Sequence, residues 1–314
     1  MTSKEPKLIM LIGLPGSGKS TFAENYKLKY PETKIHSSDK IREEICNDIS
    51  NQSKNDEVFT LLHKRIKEDL IQGNDCIYDA TNISRKRRTA MLEQLNKIHC
   101  KTVCYLIATP YEVCLTQNNK RIKPVPEGVI TNMYMHFDIP SYNEGWDLIE
   151  IVYMNPNFSN AYGEWTQFIP DTMSYDQDNK NHKLTLGNHC LQCLNYVGKK
   201  IGPEHERADD LVVAAALHDC GKPFTKTFYN HKGELTENAH YYRHENVGAY
   251  NSLFYNMDNV NVDKLYIAFL IRWHMLPHQY SQFNEKTKLK WQNRIDTDMW
   301  EDINTLNEGD LYAH

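Results

Sequence analysis

Residues 8–21 read LIMLIGLPGSGKST, an apolar run from Leu8 to Ile12 followed at once by a glycine-rich loop. A short aliphatic run ended by glycine has the pattern of a buried strand. The loop has the spacing G-x-x-x-x-G-K-[ST], with Gly13, Gly18, Lys19 and Ser20 in the fixed places. Glycines let the backbone turn tightly, so that successive N–H groups wrap phosphate oxygens. Lys19 brings positive charge to β- and γ-phosphates, and Ser20 a hydroxyl for Mg²⁺. A helix N-terminus expected after the loop favours an anion as well. The stretch therefore implies a bound nucleoside triphosphate, ATP or GTP, with Mg²⁺. Its binding residues are Gly13, Gly16, Ser17, Gly18, Lys19, Ser20 and Thr21. It is silent on what receives the phosphate.

Outward from this stretch, strand-like and helical patterns alternate. Candidate strands are 8–12, 34–37, 75–79, 102–108 and 149–153, with helical patterns near 19–29, 40–49, 57–72, 86–98 and 111–136. Alternation of this kind predicts an α/β domain with a five-stranded parallel sheet and flanking helices. Residues 155–182, rich in Asn, Asp, Ser and Gly, read as a linker. Helical patterns then dominate, at about 186–200, 207–219, 241–256, 262–275 and 286–306, with a short hairpin around 225–236. The expected division is 1–154, 155–182 and 183–314, the last segment all-α.

The chain has 314 residues, 40% hydrophobic and 25% charged, with net charge −5, which gives no global basic signature for nucleic acid. Charge is uneven: residues 1–155 hold 21 Lys+Arg against 20 Asp+Glu, and residues 156–314 hold 15 against 21. The acidic second half also holds ten of the fourteen His, a balance suited to a metal site. Eight scattered Cys show no disulfide framework, and Cys190-x-x-Cys193 reads as helix core. No apolar run reaches membrane-spanning length and MTSKEP lacks a signal-peptide pattern, so the expected location is cytoplasmic, with no membrane partner.

A kinase also needs a group to take the acceptor's proton and cations to steady the moving phosphoryl. Asp39 ends the second strand, at the carboxyl edge where α/β sheets place ligands, and Arg42 follows three residues on. Asp79 ends the third strand in CIYDATN, in position to serve Mg²⁺ or the acceptor. The run Arg85-Lys86-Arg87-Arg88 reads either as a contact to a nucleic-acid backbone or as a solvated helix face. Lys120, Arg121 and Lys123 precede a proline turn and suit a lid over the phosphates, with Arg121 the candidate transition-state contact.

GLPGSGKST, SSDKIR, YDATN and the KR pair before the proline turn together resemble the phage-type 5′-hydroxyl polynucleotide kinase family over residues 7–153. The resemblance implies that Asp39 is the general base, that Arg42 holds the acceptor's 3′-phosphate and that Arg121 contacts the donor phosphates. One departure is visible: where the family often has a second lid arginine, this chain has Gln117.

In the second half, LVVAAALHDCGKP places His218 and Asp219 after an apolar helix, where adjacent His and Asp can bind one metal. His189 stands upstream in LTLGNHCLQCL; His244, His274 and Asp310 follow in YYRHENVGA, IRWHMLPH and LNEGDLYAH. Imidazoles with carboxylates suit Mn²⁺, Ni²⁺, Co²⁺, Fe²⁺ or Zn²⁺. Ligands on separate helices fit a bundle core.

The order of these residues resembles the HD phosphohydrolase superfamily over about 183–314, in particular the HD domains of HD-kinase RNA-repair proteins, which carry the two parts in reverse order. The resemblance implies that His189, His218, Asp219 and Asp310 hold one metal. It also implies that His244 and His274 complete a second, that Asp219 bridges, and that Lys222 neutralises the substrate phosphate. His240 and His278 are nearby candidates for outer contacts.

Together the halves imply a bifunctional end-healing enzyme acting on RNA or DNA. It would phosphorylate 5′-hydroxyl ends with ATP and remove 2′,3′-cyclic or 3′-phosphates, leaving sealing to a separate RNA ligase. A nucleoside or small-molecule kinase joined to an HD nucleotidase is one alternative, and a nucleotide-sensing switch another. Oligomeric state is not legible in the sequence.

Overall fold

The apolar runs of the first half pair into one five-stranded sheet in the order β2-β3-β1-β4-β5. The strands are β1 (Lys7–Ile12), β2 (Lys34–Ser37), β3 (Cys76–Asp79), β4 (Lys101–Ala108) and β5 (Leu148–Tyr153). All neighbours are parallel, with Leu11 opposite Asp79 on one side and Tyr105 on the other. The structure, a computed structural model, describes residues 5–180, 182–202 and 204–314, without the Lys290 side chain; Met1–Lys4 of the MTSKEP segment lie outside it.

β1 is apolar along its length because both faces of a parallel sheet are covered. Ile9, Leu11, Ile77 and Val103 form one core with Ala23, and Phe22, Tyr26 and Tyr105 pack against it. The helices are α1 (Lys19–Lys29), α2 (Ser38–Cys46), α3 (Asn55–Ile71), α4 (Arg85–Leu95), α5 (Tyr111–Asn119) and α6 (Glu127–Met135). α3 buries Val58, Leu62, Ile66 and Leu70, one residue per turn. The single helix expected over 111–136 is two. Pro124 and Pro126 cannot continue a helix, and Asn118 closes the turn through paired bonds with Val125 O (2.8 Å) and Val125 N (3.0 Å).

The second half is helical: α7 (Phe168–Asp171), α8 (Leu186–Lys200), α9 (Ala208–Leu217), α10 (Lys222–Thr225), α11 (His244–Ser252), α12 (Lys264–Trp273), α13 (Leu276–Tyr280), α14 (Glu285–Gln292) and α15 (Thr297–Tyr312). A two-stranded antiparallel hairpin, β6 (Thr227–Tyr229) and β7 (Leu235–His240), stands between α10 and α11. The stretch expected as one helix over 286–306 is again two. Asp296 starts the second by accepting from Met299 N (2.9 Å).

The chain divides into two compact units. One contains the described residues up to Tyr134 with Tyr142–Phe158; the other contains Met135–Ser141 with Ser159–His314. Two stretches therefore differ from the division drawn at 154 and 182. Met135–Ser141 belongs to the helical unit, where the Phe137 ring lies 4.7 Å from that of Tyr250 and Asp138 pairs with Arg272 at 3.2 Å. Residues 159–182, read as linker, bury Trp165, Phe168, Ile169 and Gln177 in the same unit. Few of those residues are aliphatic, so no hydrophobic periodicity marks them. Among the described residues no helix is long and apolar enough to cross a membrane.

Candidate active sites

The phosphate loop leaves the carboxyl end of β1, the central strand of the sheet. Gly13 N donates to Thr81 O (3.1 Å) and Thr109 Oγ1 to Ser17 O (2.9 Å), which pins the loop to the ends of β3 and β4. Gly16 has φ +83°, and a Cβ there would meet Cys114 O at 2.3 Å, so the bend requires glycine. The buried Lys19 ammonium donates to Gly13 O (3.0 Å) and Leu14 O (2.7 Å). Burial lowers its pKa, with the Asp79 carboxylate opposing. Ser20 Oγ donates to Asp79 Oδ2 (3.0 Å), the hydroxyl–carboxylate pair that suits a Mg²⁺ ion. Burial pushes the Asp79 carboxyl up, against the pull of Lys19. Gly18 starts α1 in a left-handed conformation, and Thr21 is exposed on it.

Asp39, in the first turn of α2, is bracketed by two guanidinium groups. Arg42 Nη1 donates to Asp39 Oδ1 (2.9 Å), and Arg121 Nη2 lies 3.5 Å from Asp39 Oδ2. The Asp39 side chain is 51% exposed, whereas that of Arg42 is 6% exposed. Arg42 also donates to Asn55 Oδ1 (3.1 Å). The carboxylate is thus open to a substrate, while the arginine beneath it holds it in place.

The basic run at 85–88 matches neither reading made from sequence. Arg88 is fully buried and grips Glu144 with two parallel bonds (2.8 and 2.5 Å), while Nη1 donates to Asn82 O (3.0 Å). Arg85, buried as well, donates to Asn143 Oδ1 (3.1 Å). Only Lys86 and Arg87 face solvent. The signal was present in the spacing: Arg85, Arg88 and Leu92 share the helix face that Met91 and Leu95 also bury.

In the helical unit six residues from five segments converge. His189 comes from α8, His218 and Asp219 from the end of α9, His244 from α11, His274 from the end of α12 and Asp310 from α15. They form two groups sharing Asp219: His189, His218, Asp219 and Asp310, and Asp219, His244 and His274. Gly221 permits the close approach of α11, since a Cβ there would lie 2.1 Å from His244 O.

Each of the four imidazoles turns Nδ1 onto a backbone carbonyl: His189 to Ala313 (3.2 Å), His218 to Ala215 (2.9 Å), His244 to Tyr241 (2.8 Å) and His274 to Ile271 (2.7 Å). A carbonyl only accepts, so each Nδ1 carries a proton and Nε2 is the atom each ring can offer to a metal. Those Nε2 atoms face one another, at 3.0 Å between His189 and His218 and 3.4 Å between His244 and His274. Asp219 Oδ2 lies 3.2 Å from His189 Nε2, Asp219 Oδ1 3.3 Å from His244 Nε2, and Asp310 Oδ1 3.1 Å from His189 Nε2. Facing lone pairs and carboxylates repel unless a cation stands between them, so the donor set fits divalent metal ions.

Lys222 Nζ lies 2.6 Å from Asp219 Oδ2 and donates to Gln177 Oε1 (2.8 Å). Burial alone would raise the Asp219 carboxyl, but Lys222 and His218 outweigh it and hold it well below the usual range. Sequence reading missed three neighbours: Gln177, His182 and His314. His314 Nε2 lies 3.6 Å from Asp310 Oδ1, one helical turn on, and its ring is 4.8 Å from that of His182. The i, i+4 spacing from Asp310 was the available signal for His314; His182 had none. His278 Nε2 stands 3.8 Å from Asp310 Oδ2, while His240 lies in the hairpin against Thr236 Oγ1 (3.1 Å). Cys190 and Cys193 are buried core, and burial pushes the Cys190 thiol up to about 12.

Comparison with known proteins gives two domain matches. Residues 8–140 match the family model described as an AAA domain, and residues 186–298 the model described as an HD domain. The chain is 31% identical over 148 residues to the L-seryl-tRNA(Sec) kinase of Methanococcus maripaludis, covering 46% of this chain and 57% of that protein. It is 29% identical over 159 residues to an Acanthamoeba polyphaga mimivirus protein named as a candidate bifunctional polynucleotide phosphatase/kinase, covering 48% of this chain and 34% of that protein. This chain thus spans less than two thirds of the length of either relative. A chain of the Pnkp1/Rnl/Hen1 RNA repair complex matches at 23% identity over 43% of this chain and 45% of that chain, with TM-score 0.38. The chain therefore carries an N-terminal P-loop kinase domain matching the AAA model and a C-terminal helical domain matching the HD model.

Proposed function

We propose that the protein heals nucleic-acid ends, phosphorylating a 5′-hydroxyl with its P-loop unit and removing a 2′,3′-cyclic or 3′-phosphate with its HD unit. The observation that carries the reading is Asp39, half open at the ligand edge of the sheet and steadied by Arg42 and Arg121. In the first reaction an Asp39 oxygen takes the proton of the attacking hydroxyl. A bond forms from the hydroxyl oxygen to the γ-phosphorus, and the bond from the γ-phosphorus to the β–γ bridging oxygen breaks, releasing ADP. Lys19 leaves its loop carbonyls to meet the phosphates, Ser20 and Asp79 would hold Mg²⁺, and Arg121 meets charge spreading on the γ-phosphoryl.

In the HD unit, divalent ions would supply Lewis acidity toward the attacking and leaving oxygens. His189, His218, Asp219, Asp310, His244 and His274 would hold them, with either of the two Asp219 oxygens turned to one group. Lys222 is positioned to neutralise a phosphate oxygen while balancing Asp219. The relatives named as a seryl-tRNA kinase and a polynucleotide phosphatase/kinase support an acceptor attached to nucleic acid. Sealing of the healed ends would fall to a separate ligase.

One observation favours a second reading, a small-molecule kinase with an HD nucleotidase. Arg85 and Arg88 are buried, which removes half of the basic run from any nucleic-acid surface. The test is an RNA strand with a 5′-hydroxyl and a 2′,3′-cyclic phosphate, incubated with ATP, Mg²⁺ and Mn²⁺ and read at both ends by mass spectrometry. The proposal expects a 5′-phosphate that is lost in Lys19→Ala and loss of the cyclic phosphate that is blocked in Asp219→Ala. An unchanged strand, with turnover of a nucleoside and a mononucleotide instead, would establish the second reading.

A further inference from the structure

We propose that the hairpin between Lys222 and His244 is the platform on which the HD unit seats a single-stranded nucleic acid. Arg243 grips a backbone phosphate, and the ring stack of His231, Tyr242 and His240 receives a base. The inference rests on the end-healing reading, whose substrate it specifies for this site.

The first observation is placement. Lys222, against Asp219, opens the segment, and His244, facing His274, closes it. Whatever the hairpin holds is thereby tethered at both ends to the metal-ligand cluster.

The second is a ladder of rings. His231 and Tyr242 have centroids 3.8 Å apart, and Tyr242 and His240 are stacked at 5.2 Å and 8°. His231 is exposed and ends the ladder. Phe228 and Tyr229 on β6 are exposed as well, 38% and 56%. The His231–Tyr242 pair is tilted by 37° and the Tyr242–His240 pair is stacked, and a run of ring faces that ends in solvent can extend onto a base, because every base has a π-face.

The third is Arg243. Its backbone sits at φ +64°, a left-handed conformation that non-glycine residues rarely adopt. The turn has a purpose: it starts α11, with Asn246 N and Val247 N donating to Arg243 O at 3.0 Å each, and lets His244 fold back so that its Nδ1 meets Tyr241 O. Glycine would make that turn without strain. An arginine there needs its side chain to account for it, yet Arg243 is exposed and forms no ion pair among the described residues. Of the other cations of the hairpin, Lys226 is engaged with Asp178 and lies 4.8 Å from the Tyr175 ring, while Lys232 is exposed at the hairpin turn, on a backbone without the strain of Arg243. A guanidinium held next to a ligand histidine and lacking a protein partner is suited to a phosphate.

The test uses the full chain loaded with Mn²⁺ and a short single-stranded RNA bearing 4-thiouridine and a 3′-phosphate. Ultraviolet crosslinks are mapped by peptide mass spectrometry. The expected result is crosslinking to residues 227–243, reduced about tenfold in Arg243→Gly and His231→Ala and retained in Arg243→Lys. The melting temperature of Arg243→Gly should equal or exceed that of the parent, because glycine relieves the backbone; a loss of crosslinking is then a loss of the side chain, not of the fold. Crosslinks confined to other peptides, or a yield unchanged by Arg243→Gly, would overturn the platform. Release of the 3′-phosphate by the parent protein tests the end-healing reading separately. Crosslinking to the hairpin without release leaves the platform standing and removes that reading, and release without hairpin crosslinks does the reverse.

Discussion

In the P-loop unit the site's chief cation is already satisfied by its own loop, with Gly13 O and Leu14 O accepting from Lys19 and Ser20 donating to Asp79. In the HD unit the backbone acts in the opposite sense. Four carbonyls accept from Nδ1 and turn four Nε2 atoms toward two carboxylates. Lys222 is the one ammonium against Asp219 among the described residues. The first arrangement closes on itself; the second gathers donors that divalent cations would complete. Ligand removal should therefore be felt very differently by the two units.

Chelation is the strongest way to break this comparison. An ion present at a thousand times its Kd stabilises by about 4 kcal/mol, so two ions contribute about 8 kcal/mol. Calorimetry of the metal-loaded protein with and without chelator should show the HD transition fall by on the order of 20 °C. Withdrawing nucleotide present at the same multiple of its Kd removes one ligand against two, so the P-loop transition should move by about half as much. Equal shifts in both would erase the distinction.

The next effect concerns stability in the unit that needs no ligand to close. Arg88 and Glu144 are both fully buried, and removing one partner strands the other charge. Arg88→Ala should cost about 3–5 kcal/mol and depress the P-loop transition alone. A loss below 1 kcal/mol would mean that the run is a surface feature after all.

Lys19→Ala sharpens the comparison through activity. Loss of one preorganised charge should cut phosphoryl transfer by about 10²–10³-fold, with the melting of both units nearly unchanged. An activity loss accompanied by unfolding would show that Lys19 supports its loop rather than its ligand.

Acid gives the smallest effect on the P-loop unit. Burial lowers the pKa of His63, and also that of His36 although Asp69 opposes it there. A lowered folded pKa means that the neutral ring stabilises above pH 6.5 and that the contribution fades as pH falls below it. The P-loop transition should drop by a few degrees between neutral pH and about pH 5.5, as followed by calorimetry. The metal-loaded HD transition should drop further, because protons compete with metal for Nε2. The opposite order would place the pH sensitivity in the wrong unit.

The sheet was legible because β1, β3 and β4 carry apolar runs that pair with one another, and strands such as 34–37 and 102–108 lie where the alternation put them. Contiguity helped the phosphate loop as well, since Gly13 to Thr21 is one segment whose geometry is local. What periodicity could not reveal depends on partners far along the chain. Arg88 looks solvated until Glu144 arrives, 56 residues away. Residues 159–182 look like a linker because Trp165, Phe168 and Gln177 are buried without an aliphatic pattern. The candidate metal ligands span the sequence from His189 to Asp310, and adjacency signals only the His218–Asp219 pair; the rest were legible as His and Asp on separate helices, and their order carried the family resemblance. His182 carries no motif, and Arg243 sits unremarked inside YYRHENVGA. One is placed by packing and the other stands out only by its backbone angle.

The most direct test of the account is the metal content of the purified, desalted protein, measured by inductively coupled plasma mass spectrometry alongside His274→Ala and Asp219→Ala. The account predicts about two transition-metal ions per chain, one in His274→Ala and fewer than one in Asp219→Ala, since Asp219 belongs to both groups. A fully folded parent protein that holds no metal, gains none on incubation with Mn²⁺, Ni²⁺ or Zn²⁺ and melts unchanged with chelator would contradict it.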